Sequence, residues 1–311
     1  MNPRQLQTHP IPGTHPEKWR PLALVAAALL ALFSGRELRG QNNEAAAIDD
    51  KLLIVPVDGL IDSKKSSSTI SKVKSWLERE PTINWVIFEI SSSGGSHDAA
   101  IELGDYIFSE LRNKTTVAFI PDGAEATGAA VIPALACREI AMGPKSRLGA
   151  GAAEPGSVEE REKARMAVEL YSERRKRSQL LAGLTVMPAR ETVYSLRRRA
   201  ANAAGRYVFW YQADLNNSDP VERKSEYHTA EKILGRDELL TLDQAKAFEY
   251  DWVRYRGIES GDDRYKSLLL EMNLILPEES VFVVGRGAIK KKNLRIQGQG
   301  ACDTCPFAHA A

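Results

Sequence analysis

The chain has 311 residues, with 42 Lys and Arg against 41 Asp and Glu and a formal net charge of +1. That length holds one large domain with appendages, or two modest domains, and it buries a core. The balanced charge speaks against a general nucleic-acid binder, whose domain is distinctly basic. With only Cys137, Cys302 and Cys305 there is no disulfide framework, so the fold rests on its apolar interior.

In chain order, the uncharged stretch from Pro21 to Gly35 follows Arg4, Lys18 and Arg20. A positive flank before a short apolar segment reads as a signal peptide or signal anchor, shorter than a comfortable membrane span of about 20 residues. Residues 1–36 are assigned to it, and the polar residues 37–50 to a linker. "KLLIVPVDGLID" reads as a buried strand ending in a turn. "SSSTISKVKSWLEREP" places Ile70, Val73 and Trp76 at helical spacing, with serines as candidate caps and Pro81 as the stop. "INWVIFEIS" and "TTVAFIPDG" are further strands, and "HDAAIELGDYIFSELR" between them is an amphipathic helix. "EATGAAVIPALACR" suits a helix packed deep in a core, and "EIAMGPKSRLGA" a short strand followed by a Gly-rich turn. Strands alternating with helices of this size predict βαβ units and a mainly parallel sheet, hence an α/β fold.

From Ser157 the sequence turns to long charged helix, "SVEEREKARMAVELYSERRKRSQLLAGL", with a capping box from Ser157 to Glu160. The runs "RRKR" and "RRR" (Arg197 to Arg199) fit either a contact with phosphate or anionic lipid, or a solvated helix face. "GRYVFWYQADL" is a strand, and "DELLTLDQAKAFEYDWV" a strand or turn entering a helix. Residues 51–274 are taken as the domain and 275–311 as an irregular tail, where periodicity is lost. "ESVFVVGRGAIKKKNLRIQG" in that tail also fits the opening of a second unit. "CDTC" with His309 supplies half of a zinc site at most, so it stands between a metal contact, a small disulfide and a plain tail.

In an α/β fold, ligands bind beyond the carboxyl ends of the parallel strands. "SSSGGS" (Ser91 to Ser96) lies at such an end, and the amides of Gly94 and Gly95 are suited to face a developing oxyanion, although a tight structural turn uses the same residues. A second glycine-bearing turn, "PDGAEATGAA", follows at the same end of the next unit, where first-turn helix amides are unpaired. His97 is a candidate base, and otherwise a capping or surface residue.

The order "LLIVPVDGLID", "VIFEISSSGG", "AVIPALACREIAMGPKSRLGA", an acidic-rich helix and "ELLTLDQAKAFEYDWV" resembles the NfeD-type membrane-bound serine proteases of the Clp-protease class, in the Clp/crotonase superfamily. The resemblance runs from Leu52 to Leu274. It implies repeated ββα units with a mainly parallel sheet, extended by a helical and mixed α/β part. It also implies a serine nucleophile, a lysine base and an amide oxyanion hole from Gly94, Gly95 and Ala129, with no cofactor and no metal. Aligned on "EIAM", the nucleophile position falls on Gly128, which has no hydroxyl. Thr127 is one residue earlier, about 100° away on a helix, and is the candidate for a displaced nucleophile. Lys163, in "EREKARMAVEL", stands where the base is expected, and an exposed helix lysine is the competing description. Ser92, Ser93 and Ser96 are nearby hydroxyls to which the motif gives no such role.

These readings lead to an exported or membrane-anchored peptidase-like protein with an oxyanion-type site and a degenerate or displaced nucleophile. Its expected partners are a peptide or membrane-protein substrate, a stomatin-type membrane protein and further copies of itself, without nucleic acid. A pseudoprotease that binds peptides or scaffolds an assembly is one alternative, and a crotonase-type acyl-CoA enzyme another. Export counts against the latter, because coenzyme A is cytosolic.

Overall fold

The protein was analysed as a computed structural model, which describes residues 51–151, 157–199, 206–256, 258, 261–274, 276, 280–284 and 287–288. The signal or anchor segment, the linker and the "CDTC" tail lie outside the described residues. Among the described residues no helix is long and apolar enough to cross a membrane.

The strands of the main sheet are β1 (Lys51–Asp58), β2 (Ile83–Ser91), β3 (Thr115–Ile120), β5 (Glu139–Met142), β11 (Val281–Val283) and β12 (Gly287–Ala288), in the order β12-β11-β1-β2-β3-β5. Five of them run parallel, and β12 joins β11 antiparallel. The sheet is covered on both faces, which is why its strands read as continuous apolar runs instead of alternating ones. Leu53, Val55, Val57, Phe88 and Ile120 face one core, packed by helices α1 (Ser63–Arg79), α2 (His97–Asp105) and α3 (Val131–Ala136). Leu52, Ile54, Ile87, Val117 and Phe119 face a second core with Leu268 and Leu269 of α9 (Arg264–Glu271). The mainly parallel α/β architecture thus stands as the periodicity implied. Its edge pair β11–β12 comes from residues beyond 274, where the sequence loses periodicity.

Three short strands build a second sheet, in the order β10-β6-β4: β4 (Glu125–Thr127), β6 (Arg147–Gly149) and β10 (Thr241–Asp243). A third sheet, β8-β7-β9, is antiparallel, from β7 (Val193–Arg197), β8 (Tyr207–Tyr211) and β9 (Glu231–Leu234). The remaining helices are α4 (Val158–Arg174), α5 (Gln179–Leu184), α6 (Gln212–Asn217), α7 (Pro220–Glu226) and α8 (Gln244–Glu249).

Three local readings are corrected. The cap of α1 is Asp62, whose carboxylate accepts from the Lys65 amide at 2.7 Å, so the serines stand inside the helix and Ser66 is buried. The turn after β3 does not enter a helix directly, because β4 intervenes and pairs with β6. The long helix from Ser157 starts with the expected capping box but is two helices, α4 and α5. They are separated by Lys176 at φ 60°, whose amide bonds Glu173 O while that of Arg177 bonds Ser172 O at 2.8 Å. That pair of bonds is a Schellman turn, and it normally seats glycine where Lys176 sits.

The same turn swings Arg177 inward. Its guanidinium donates to the carbonyls of Leu135, Cys137 and Arg138, and Arg175 donates to Ala136 O, so "RRKR" closes the C-terminal end of α3. Burial pulls Arg177 down to about 10, which leaves it cationic at neutral pH. "RRR" is no helix face either. Arg197 ends β7, and Arg199 Nε donates to the carbonyls of Lys224 and Tyr227 at the end of α7.

Candidate active site

Strand β2 is gripped on both sides where it ends. The Ser92 amide donates to Glu125 O at 2.7 Å, and the Thr127 amide donates to Ser92 O at 3.1 Å, so β4 is stitched to the first turn by backbone alone. On the other side, Ile61 N donates to Gly94 O at 2.9 Å and Ser96 N to Ile61 O at 2.8 Å. Gly94 and Gly95 hold φ of 136° and 135°, the region that only glycine occupies easily. A methyl on Gly95 would sit 2.3 Å from Ile61 O. Gly95 is therefore required by close backbone approach, and Gly94 by its backbone angle.

A third segment arrives from β6. Ala150 N donates to Leu240 O at 2.8 Å and Thr241 Oγ1 to Ala150 O at 2.9 Å. This holds Gly151 so that a Cβ there would lie 3.3 Å from both Gly128 N and Ser93 O. Three turns thus converge: the one after β2, the one after β4, and the strap after β6. The sequence signalled the first two by their glycines. The strap, Ala150 and Gly151, follows a stretch that read only as a Gly-rich turn, because its role depends on a pairing with Leu240 and Thr241 far along the chain.

The chemistry-bearing groups are distributed as follows. Gly94 N donates to Ser92 Oγ at 3.3 Å, so that amide is engaged within its own turn, together with the buried Ser92 hydroxyl. The Gly95 amide has no acceptor among the described residues. Ser93 is exposed, and Ser96 is spent as the cap of α2, accepting from Ala99 N. His97 is buried, 4 % exposed, which removes the surface description of it. Thr127 ends β4 in extended conformation and is 3 % exposed, and its hydroxyl makes no hydrogen bond among the described residues. Gly128 follows at φ 58° and turns the chain sharply into α3, with Ala129 fully buried behind it. A strand-to-helix elbow of this kind presents its residue to the crevice, and here that residue has no side chain.

Lys163 lies on α4 with half its side chain exposed, and Nζ is 3.6 Å from Glu159 Oε1, one turn back. No hydrogen bond joins it to Thr127. Lysine works as a base when burial strips its water, and Lys163 lacks that burial. Among the described residues the site therefore offers an unengaged amide at Gly95 and three converging backbone segments, with Thr127 and Lys163 not in contact. Among the described residues no group of three or more His, Cys, Asp and Glu side chains is placed to hold a metal ion.

The fold is an α/β domain, a mainly parallel sheet continued by a helical and mixed part. No family model matches the chain, and no curated protein matches it. Among solved structures it is similar to the 1510-N membrane-bound stomatin-specific protease, in a lysine-to-alanine mutant complexed with a substrate peptide, at 14% identity over 75% of this chain and 90% of that one, TM-score 0.48. A serine-to-alanine mutant of the 1510-N protease is similar at 15% identity, over 75% and 96% of the two chains, TM-score 0.47. The 1510-N membrane protease specific for a stomatin homolog from Pyrococcus horikoshii is similar at 14% identity, over 71% and 77%, TM-score 0.44.

Proposed function

We propose that this protein is a peptidase-like domain that captures extended peptide segments at the crevice of the three turns and does not cleave them through Thr127 and Lys163. The observation that carries this reading is the elbow at Gly128: the backbone turns at φ 58° beside the strap, and no hydroxyl stands there. An unengaged amide at Gly95 supplies a donor for a peptide carbonyl, whether or not that carbonyl is attacked. The apolar segment from Pro21 to Gly35, with its basic flank, supports export or anchoring, and the motif resemblance makes a stomatin-type membrane protein the first partner to try.

The test combines a fluorophosphonate probe with peptide arrays. Under this reading the full chain retains peptides by anisotropy, releases no fragments at any peptide length, and takes up no probe. Labelling that disappears in Thr127→Ala would instead establish a threonine peptidase, the second reading, which the buried, unbonded Thr127 hydroxyl keeps open. Labelling at Ser92 or Ser93 would sink both assignments.

A further inference from the structure

The chain is almost neutral overall, yet one crevice concentrates cationic side chains. A cavity of about 740 Å³ between the end of α4 and the segment after α8 is lined by seven cationic side chains and two carboxylates. Both carboxylates are already engaged: Glu139 pairs with Arg254 at 3.2 Å, and Asp251 accepts from the Arg206 amide at 3.3 Å. Arg175 and Arg177 are also spent, on the carbonyls that end α3. Arg174, Lys176 and Arg206 are exposed, and their side chains make no hydrogen bond or ion pair among the described residues. Phe248, Val253 and Trp252 form apolar wall. Trp252 is 2 % exposed, and its indole N–H is buried with no acceptor among the described residues.

We infer that this crevice binds a phosphate-bearing anion, held by Arg174, Lys176 and Arg206. Cations gathered in a concave, partly apolar cleft focus field that would be screened on a flat surface, within a Debye length of about 8 Å at physiological salt. A guanidinium matches the oxygens of a phosphate two at a time, and an ammonium adds a mobile point charge. A carboxylate already inside the crevice would be the cheaper way to neutralise it, and the two present leave the three outer cations unmatched. The proposal is independent of what happens at Gly128.

Lys176 provides a clean probe. It occupies the left-handed position of a Schellman turn, so Lys176→Gly removes the charge while favouring the local backbone. Combined with Arg174→Gln at the exposed end of α4, it leaves the inward Arg175 and Arg177 in place. The full chain is titrated with inorganic pyrophosphate by calorimetry, and separately co-sedimented with phosphatidylcholine vesicles with and without 20 per cent phosphatidylserine (roughly the anionic share that gives a cytoplasmic-type surface potential). Expected is salt-sensitive binding to at least one phosphate probe, weakened about tenfold or more in the double variant, with unchanged or raised melting temperature. Binding to pyrophosphate alone identifies a soluble phosphate compound as the source, and binding to anionic vesicles alone a lipid headgroup. Binding to neither probe overturns the inference. So does binding that the double variant retains, or that neutral vesicles match.

Discussion

Gly95 and Ile61 approach so closely that a single methyl group does not fit between them: a Cβ on Gly95 would lie 2.3 Å from Ile61 O and 2.5 Å from Ile61 N. The loop after β1 and the turn after β2 are one interlocked unit, and the candidate site rests on it. Gly95→Ala adds backbone strain at φ 135° to that overlap, and the expected loss is about 2–5 kcal/mol. Gly59→Ala is the control. Gly59 also has positive φ, at 67°, but nothing lies within 4 Å of a Cβ there, so only about 1 kcal/mol is expected. Urea unfolding of both variants measures the difference, and equal losses would mean that the contact with Ile61 contributes nothing.

Lys163→Ala should be silent. The ammonium is half exposed and the Glu159 partner more so, at 3.6 Å, and exposed pairs of this kind contribute little. Stability should stay within about 0.5 kcal/mol of the parent. Peptide retention should also be unchanged. A loss of retention in Lys163→Ala, with the melting temperature intact, would restore Lys163 to the site.

What the sequence revealed and what it hid divide along contact range. Strands β1, β2 and β3 were legible because both faces of the sheet are buried, and a run such as Leu52 to Val55 has no other use. The capping box at Ser157 and the deep packing of α3 are local signals of the same kind. The break at Lys176 was illegible, since a lysine in a left-handed conformation has no local signature. So were the targets of Arg177 and Arg199, whose carbonyl partners lie 25 or more residues away. At the site, the double glycine was read as a donor of two amides. Gly94 N is instead engaged by Ser92 Oγ, a side-chain contact that spacing does not reveal.

Arg177 connects the basic run to the elbow. Helix α3 begins beyond Gly128 and ends against the Arg177 guanidinium, which bonds Leu135 O at 3.0 Å, Cys137 O at 3.1 Å and Arg138 O at 2.9 Å. Arg177→Met keeps the volume and leaves those carbonyls short of donors, with an expected loss of about 2–4 kcal/mol. Arg175→Ala should lose less, because Arg175 is only partly buried and bonds Ala136 O alone. Denaturant midpoints of the two variants, with amide exchange in residues 131–136, check the order. An Arg175→Ala loss larger than that of Arg177→Met would refute this account of how α3 is held.

Cys137 gives a titration test of the same corner. It is fully buried at the end of α3, and burial pushes its thiol up from 9.0 to about 12, against the opposing pull of Arg177 and Arg175. A thiol whose folded value is raised adds stability in full below the unfolded value near 9, and that stability is lost as pH rises from there to about 12. Two results follow in a Cys302→Ser, Cys305→Ser background. Reaction with a chromogenic disulfide reagent at pH 8 should proceed only at the rate of unfolding. Stability should fall more steeply between pH 9 and 11 than in the further variant Cys137→Ala, by roughly 1.4 kcal/mol per pH unit of separation once the unfolded thiol is ionised. The tyrosines buried elsewhere titrate in the same direction in both proteins, so they cancel in the comparison. Rapid modification of the folded protein, or parallel pH slopes in the two, would show that Cys137 is open to solvent and that the end of α3 is not sealed by Arg177.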